Sequence, residues 1–170
     1  MQGAEFKITT VRGTPVDNHE GKTSSNGIYV TDASGEIAIE KLEPGVYTVV
    51  ETKAPDGYAL DRTPQTVTVN EDDSQTLTFR DDALQNLVIT KYEEGTTKPL
   101  AGVTFAVADS AGNPLGTYTT DANGQITITG LAPGTTVVAR EIRTVRGYVL
   151  NGEAQTVQIA SGGGGAITQT

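Results

Sequence analysis

The sequence predicts an all-β chain built as two tandem β-sandwich modules. Three observations carry this: an internal duplication, turns based on glycine and proline at regular spacing, and short segments in which polar and apolar residues alternate. The 170 residues include 20 Gly and 7 Pro, no Cys and no Trp, and aromatic residues make up 5%. A core so poor in aromatics has to be built from Val, Ile, Leu, Thr and Ala, which suits thin packed sheets. Nowhere do apolar residues recur at helical spacing over three turns.

The duplication fixes the elements in order. Copy one reads YVTDASGEIAIEKLEPGVYTVVETKAPDGY from Tyr29 to Tyr58; copy two reads YTTDANGQITITGLAPGTTVVAREIRTVRGY from Tyr118 to Tyr148. Thr31-Asp32-Ala33-Ser34-Gly35 and Thr120-Asp121-Ala122-Asn123-Gly124 are hairpin turns, in which Asp accepts local hydrogen bonds and Gly takes a positive φ. The alternating stretches 36–39 and 125–128 follow as half-buried strands. Pro44-Gly45 and Pro133-Gly134 turn the chain into the next strand. There Tyr47, Val49 and Glu51 share one face, as do Val137, Ala139 and Glu141. Copy two has one extra residue in this stretch, and parity places it just after Pro133-Gly134, as a bulge or a longer turn. Gln65-Thr66-Val67 and Gln155-Thr156-Val157 continue the two frames.

The copies are cut differently. Copy two begins with Leu87-Val88-Ile89-Thr90-Lys91, passes through the polar stretch 92–98, and reaches Pro99-Leu100-Ala101-Gly102-Val103-Thr104-Phe105. Copy one starts at Gln2-Gly3-Ala4-Glu5-Phe6, which matches only the last part of that run. Copy one closes on Leu77-Thr78-Phe79-Arg80-Asp81, whereas copy two stops at Ile167-Thr168-Gln169-Thr170, one residue short of the position matching Asp81. The expected modules are therefore 1–82, lacking its first strand, and 83–170, lacking the end of its last strand, with a junction near 82–86. Unpaired edges of this kind invite strand exchange or self-association.

The formal net charge of −9 disfavours phosphate backbones and anionic lipid surfaces, so nucleic acid is not an expected partner. No apolar run is long enough to span a bilayer, so membrane insertion is not expected. The sequence has no leader-like start and no sorting-motif end, which puts any signal or anchor outside these residues. His19 is the sole histidine and reads as a loop residue, since a zinc site needs several N or S ligands. Glu71-Asp72-Asp73 reads as a solvated hairpin tip rather than a calcium loop, and the glycine run 162–165 as a turn rather than a phosphate cradle. No metal, no cofactor and no enzymatic nucleophile–base set is expected, which also argues against a transthyretin-like enzyme.

The string Tyr47-Thr48-Val49-Val50-Glu51-Thr52-Lys53-Ala54-Pro55-Asp56-Gly57-Tyr58 resembles the signature of CnaB-type modules, also called SpaA-type or prealbumin-like pilin repeats. The opening 87–91, the run 98–105 and the closing 77–81 are similar to that family too, so the likeness covers most of the chain. The resemblance implies two tandem Ig-like (CnaB/prealbumin-like) β-sandwich modules, each truncated at one end. It implies a non-enzymatic stalk or spacer repeat of an extracellular, cell-wall-anchored surface adhesin or pilus. Its partners would be neighbouring repeats of the same protein.

The resemblance also implies isopeptide-type positions. Many family members join a first-strand Lys to a last-strand Asn or Asp, promoted by a buried Glu. By that likeness Lys91 is the nucleophile position and Glu141 the promoter of copy two, and Glu51 and Asp81 are the promoter and acceptor positions of copy one. The chemistry is sound: a dry site favours the neutral amine and the protonated acid, and the fold supplies proximity. By analogy with disulfide loops, such a closure contributes on the order of 4–5 kcal/mol. Neither copy holds all three groups, so no internal isopeptide bond is expected in this chain. Copy two also carries Arg143, Thr144 and Val145 where copy one has Lys-Ala-Pro. The alternative function is a ligand-binding sandwich, for a matrix protein or carbohydrate, that uses the longer polar insertion from Gly13 to Gly27. That insertion has no aromatic ring on which a sugar could stack.

Overall fold

Aspartate-led turns set the strand ends. Asp121 Oδ1 accepts the amides of Asn123 (2.8 Å) and Gln125 (2.9 Å). Asp32 Oδ1 accepts those of Ser34 (2.8 Å) and Glu36 (3.0 Å) in the same way. Each side chain thus does the work of a backbone acceptor and reverses the chain in four residues. The computed structural model describes residues 1–17 and 22–170; His19 lies outside them. The chain divides into two units, Met1–Asp81 and Asp82–Thr170.

Unit 1 contains β1 (Glu5–Thr10), β2 (Ile28–Val30), β3 (Gly45–Lys53) and β4 (Gln65–Val69), paired antiparallel in the order β2-β1-β3-β4. Unit 2 contains β5 (Gln85–Lys91), β6 (Thr104–Asp109), β7 (Pro114–Thr119), β8 (Gln125–Leu131), β9 (Thr136–Arg143), β10 (Ala154–Gln158) and β11 (Gly165–Gln169). These form a four-stranded sheet, β10-β9-β6-β7, and a three-stranded sheet, β11-β5-β8.

The four-stranded sheets of the two units share a register. Phe6 stands opposite Tyr29 on one side and Glu51 on the other; Phe105 stands opposite Tyr118 and Glu141. Both β1–β3 and β6–β9 shift register just before the Phe. The extra residue of copy two is taken up in a turn, where Thr135 N donates to Ala132 O ahead of β9.

The second sheet distinguishes the units. In unit 2, β5 is its central strand, antiparallel to β8 and parallel to β11. Unit 1 has no counterpart of β5 among the described residues. The expected strand at 36–39 is accordingly not formed, and the closing stretch 76–81 forms none either. Both would hydrogen-bond to the same central strand, and without it neither has a ladder partner. Their alternation survives: Ile37, Ile39, Leu77 and Phe79 are half-buried, and Glu36, Ala38, Thr78 and Arg80 are exposed.

The cores differ accordingly. Unit 2 packs Leu87, Ile89, Val103, Phe105, Val107 and Val137 between its two sheets, all at 2% exposure or less. Among the described residues of unit 1, the buried apolar residues are Ala4, Phe6, Ile8, Tyr29, Tyr47 and Pro55.

Candidate functional site

In unit 2 the two sheets bring a lysine and a glutamate together inside the protein. Lys91 closes β5 with its backbone held on both sides: its N–H donates to Gly124 O and its carbonyl accepts from Leu100 N, both at 2.9 Å. Gly124 lies in the Asp121 turn at φ +71°, and a Cβ there would come within 2.6 Å of Lys91 O, so glycine is needed for this approach. The side chain follows Leu87 and Ile89 into the core. There Lys91 Nζ lies 3.5 Å from Glu141 Oε2, with side-chain exposures of 6% and 0%. Glu141 projects from β9 beside Phe105, and neither of its oxygens has a hydrogen-bond partner. A buried ion pair with so few supporting hydrogen bonds is costly as a structural device.

Unit 1 has the corresponding glutamate but no lysine beside it. Glu51, 1% exposed, accepts a 3.1 Å hydrogen bond from Asp61 N on Oε2, and its Oε1 is unpartnered. Burial pushes the Glu51 carboxyl above the usual range; the Asp61 amide pulls it back, and the Asp81 charge adds to the rise. Asp81 is raised as well, chiefly by burial, with its contact to Glu51 acting in the opposite sense. That contact falls short of hydrogen-bond geometry, since Glu51 Oε1 has no partner. Two neighbouring carboxyls disfavour double ionisation, so the pair favours holding a proton.

An open groove of about 1280 Å³ runs along unit 1 to Asp81. Ile37 and Ile39 line one side, Leu77 and Phe79 the other, and Phe6 and Ile8 the floor. Phe6 and Phe79 touch there with ring centroids 4.7 Å apart. The flanking segments are the counterparts of β8 and β11, so the groove is the place that β5 fills in unit 2.

Of the four positions singled out in the sequence, Lys91 thus meets Glu141, and Glu51 meets Asp81. Sequence reasoning passed over Gln169. It lies directly opposite Lys91 in the parallel β11–β5 ladder, is 3% exposed, and has a buried Oε1 without a partner. The available signal was a polar residue at an inward parity position, two after Ile167.

Elsewhere, the described part of the 13–27 insertion is tied down by Asp17, whose Oδ1 accepts from Ser24 Oγ (2.9 Å) and Gly27 N (2.6 Å). Among the described residues no cluster of three metal-ligating side chains forms. No helix of the described residues is long and apolar enough to cross a membrane.

Comparison with known proteins accords with this architecture. The chain is 30% identical, in an alignment 166 residues long that covers 85% of it, to the serine-aspartate repeat-containing protein F of Staphylococcus epidermidis, and spans 10% of that protein. Among solved structures it is similar to a streptococcal ancillary pilin, with TM-score 0.61 and 22% identity, covering 100% of this chain and 58% of that one. It is also similar to a minor pilin of Streptococcus agalactiae, with TM-score 0.51 and 20% identity, covering 99% and 82% of the two chains. The family model for the SpaA prealbumin-like fold domain matches twice, at residues 1–83 and 85–170, and the chain belongs to that family as a tandem pair of its domains.

Proposed function

We propose that the chain is a structural repeat of an extracellular adhesin or pilus protein, a spacer that presents other domains away from a cell wall and carries out no catalytic turnover. Its membership of the SpaA family and its likeness to an ancillary and a minor pilin support this. In this reading unit 1 is completed by a lysine-bearing first strand from a neighbouring repeat of the same protein.

One observation carries the reading. The groove of unit 1 presents Phe6, Ile8, Ile37, Ile39, Leu77 and Phe79 and reaches the half-buried carboxyl of Asp81, which neighbours the buried Glu51. In unit 2 the equivalent space is filled by Leu87, Ile89 and then Lys91. A strand with that pattern brings apolar side chains to the groove and an amine to the carboxyls. Lys Nζ can then attack Asp81 Cγ while protonated Glu51 donates to the carbonyl oxygen. The Nζ–Cγ bond forms, the C–OH bond breaks, and water leaves.

The test adds a synthetic peptide with the sequence of residues 85–92 to the whole chain and measures intact mass under denaturing conditions. The expected product has the summed mass less one water, and Asp81→Ala gives none. Absence of both adduct and saturable binding would overturn the reading.

A further inference from the structure

We infer that Asn151-Gly152 is a self-modification site. The Gly152 amide nitrogen closes on the Asn151 side chain, ammonia leaves, and water opens the resulting succinimide to aspartate or isoaspartate.

The chain has three Asn-Gly pairs, at 26–27, 123–124 and 151–152, and the fold treats them differently. Gly27 N donates to Asp17 Oδ1 at 2.6 Å, and Gly124 N donates to Asp121 O at 2.9 Å. Both glycines are also required where they stand: at φ +73° and +71°, a Cβ would run into Ile8 O and Lys91 O. Gly152 differs on both counts. Its N–H has no acceptor among the described residues, its backbone lies outside the left-handed region, and a Cβ on it would meet nothing within 4 Å.

The surroundings of this pair favour ring closure at each atom that takes part. Asn151 Oδ1 accepts the Glu153 amide at 3.1 Å, a turn that curls the side chain back over Gly152 N and polarises Cγ. Asn151 O belongs to the same peptide group as Gly152 N and accepts Gln169 Nε2 at 3.3 Å. Charge that spreads from the ionised nitrogen onto that oxygen is thus met by a donor. Arg140 Nη1 donates to Gly152 O at 2.7 Å and sets a guanidinium near the nitrogen that must lose its proton. Unit 1 already shows that the acid product fits. Asp61 follows Gly57-Tyr58-Ala59-Leu60 as Asn151 follows Gly147-Tyr148-Val149-Leu150, and its Oδ1 accepts the Thr63 amide at 2.9 Å in the same turn.

The reaction needs only water. Hydroxide takes the Gly152 N–H proton, the nitrogen attacks Asn151 Cγ, and the Glu153 amide holds the oxyanion at Oδ1. The Cγ–Nδ2 bond breaks, and Nδ2 leaves as ammonia with a proton from water, which restores the hydroxide. Water then adds to the ring. Opening at Cγ gives aspartate. Opening at the main-chain carbonyl gives isoaspartate, in which the chain runs through Cγ and Asn151 O, the acceptor of Gln169, becomes part of a free carboxylate.

The experiment incubates the whole chain at mildly alkaline pH, folded and in denaturing urea, and follows the peptide carrying each Asn-Gly pair by mass spectrometry. In the folded chain residue 151 should be the first to gain the mass difference between an amide and an acid. The hydrogen bonds of Gly27 and Gly124 must break before those nitrogens can attack, which slows their pairs about tenfold relative to residue 151. In urea the three pairs should convert at similar rates. Gly152→Ala, whose methyl fits the folded chain but crowds the ring, should slow conversion at 151. Asn151→Gln, whose longer side chain does not close a succinimide, should stay unmodified. Conversion at 26 or 123 ahead of 151 in the folded chain would overturn the inference. So would resistance of 151 when folded, or an equal lead of 151 in urea, which would show that the fold does not select it.

Discussion

Equivalent phenylalanines in the two units allow a matched perturbation. Phe105 and Phe6 hold the same register position, each opposite the buried glutamate of its unit. Phe105 is 0% exposed in a core closed by the β11-β5-β8 sheet, so truncation to Ala removes the apolar side chain and leaves an enclosed cavity. The two contributions together come to about 3–5 kcal/mol. Phe6 is 7% exposed but floors an open groove, into which water follows the deleted ring. Only the transfer contribution is then lost, about 1.5–3 kcal/mol. Hydrogen exchange with mass spectrometry reads peptides from β6 and β1 separately and returns an opening free energy for each unit of the same molecule. Phe105→Ala should cost its unit about 1–2 kcal/mol more than Phe6→Ala costs the other. Equal costs, or a greater cost in unit 1, would mean that the groove is not open in solution and would refute the reasoning.

Other expectations are as direct. The raised carboxyls of Glu51 and Asp81 take up protons on folding, so their penalty is absent below the ordinary carboxylate range and complete above the raised values. Lowering the pH from neutral toward the ordinary carboxylate range should therefore stabilise unit 1, and Glu51→Gln should remove much of that gain; a fall in unit 1 protection on this approach would contradict it. At lower pH the lowered carboxyls of Asp17, held by the Gly27 amide, and Asp32, held by the Glu36 amide, lose their contribution as they protonate, so the gain should reverse on further acidification. Gly124→Ala forces a side chain onto Lys91 O at positive φ and should cost unit 2 about 1–3 kcal/mol, measured by urea denaturation; a neutral result would show that the turn is not held against β5. Asp121→Ala leaves the amides of Asn123 and Gln125 without their acceptor and should cost about 1–2 kcal/mol in the same assay.

Much of this was legible in the sequence because β structure writes its faces in a period of two. The alternation through Leu87, Ile89 and Lys91, and the parity of Glu51 and Glu141, placed those side chains inside before any coordinates. The Asp-x-x-Gly turns were equally plain. What failed was the strand at 36–39. Its pattern is that of a strand, but a strand exists only with a partner, and the partner position is set by topology rather than by local sequence. Gln169 was missed for a related reason. Its significance lies in the parallel pairing of β11 with β5, which joins residues 91 and 169 across most of unit 2 and leaves no local trace.

That parallel pairing has a mechanical consequence. β5 and β11 are neighbours over five rungs, from Leu87–Gly165 to Lys91–Gln169, and run in the same direction. A pull applied outward on the start of β5 and the end of β11 acts along the strands, not across them. The rungs are then sheared together instead of being unzipped one by one, so rupture requires all of them to give way at once.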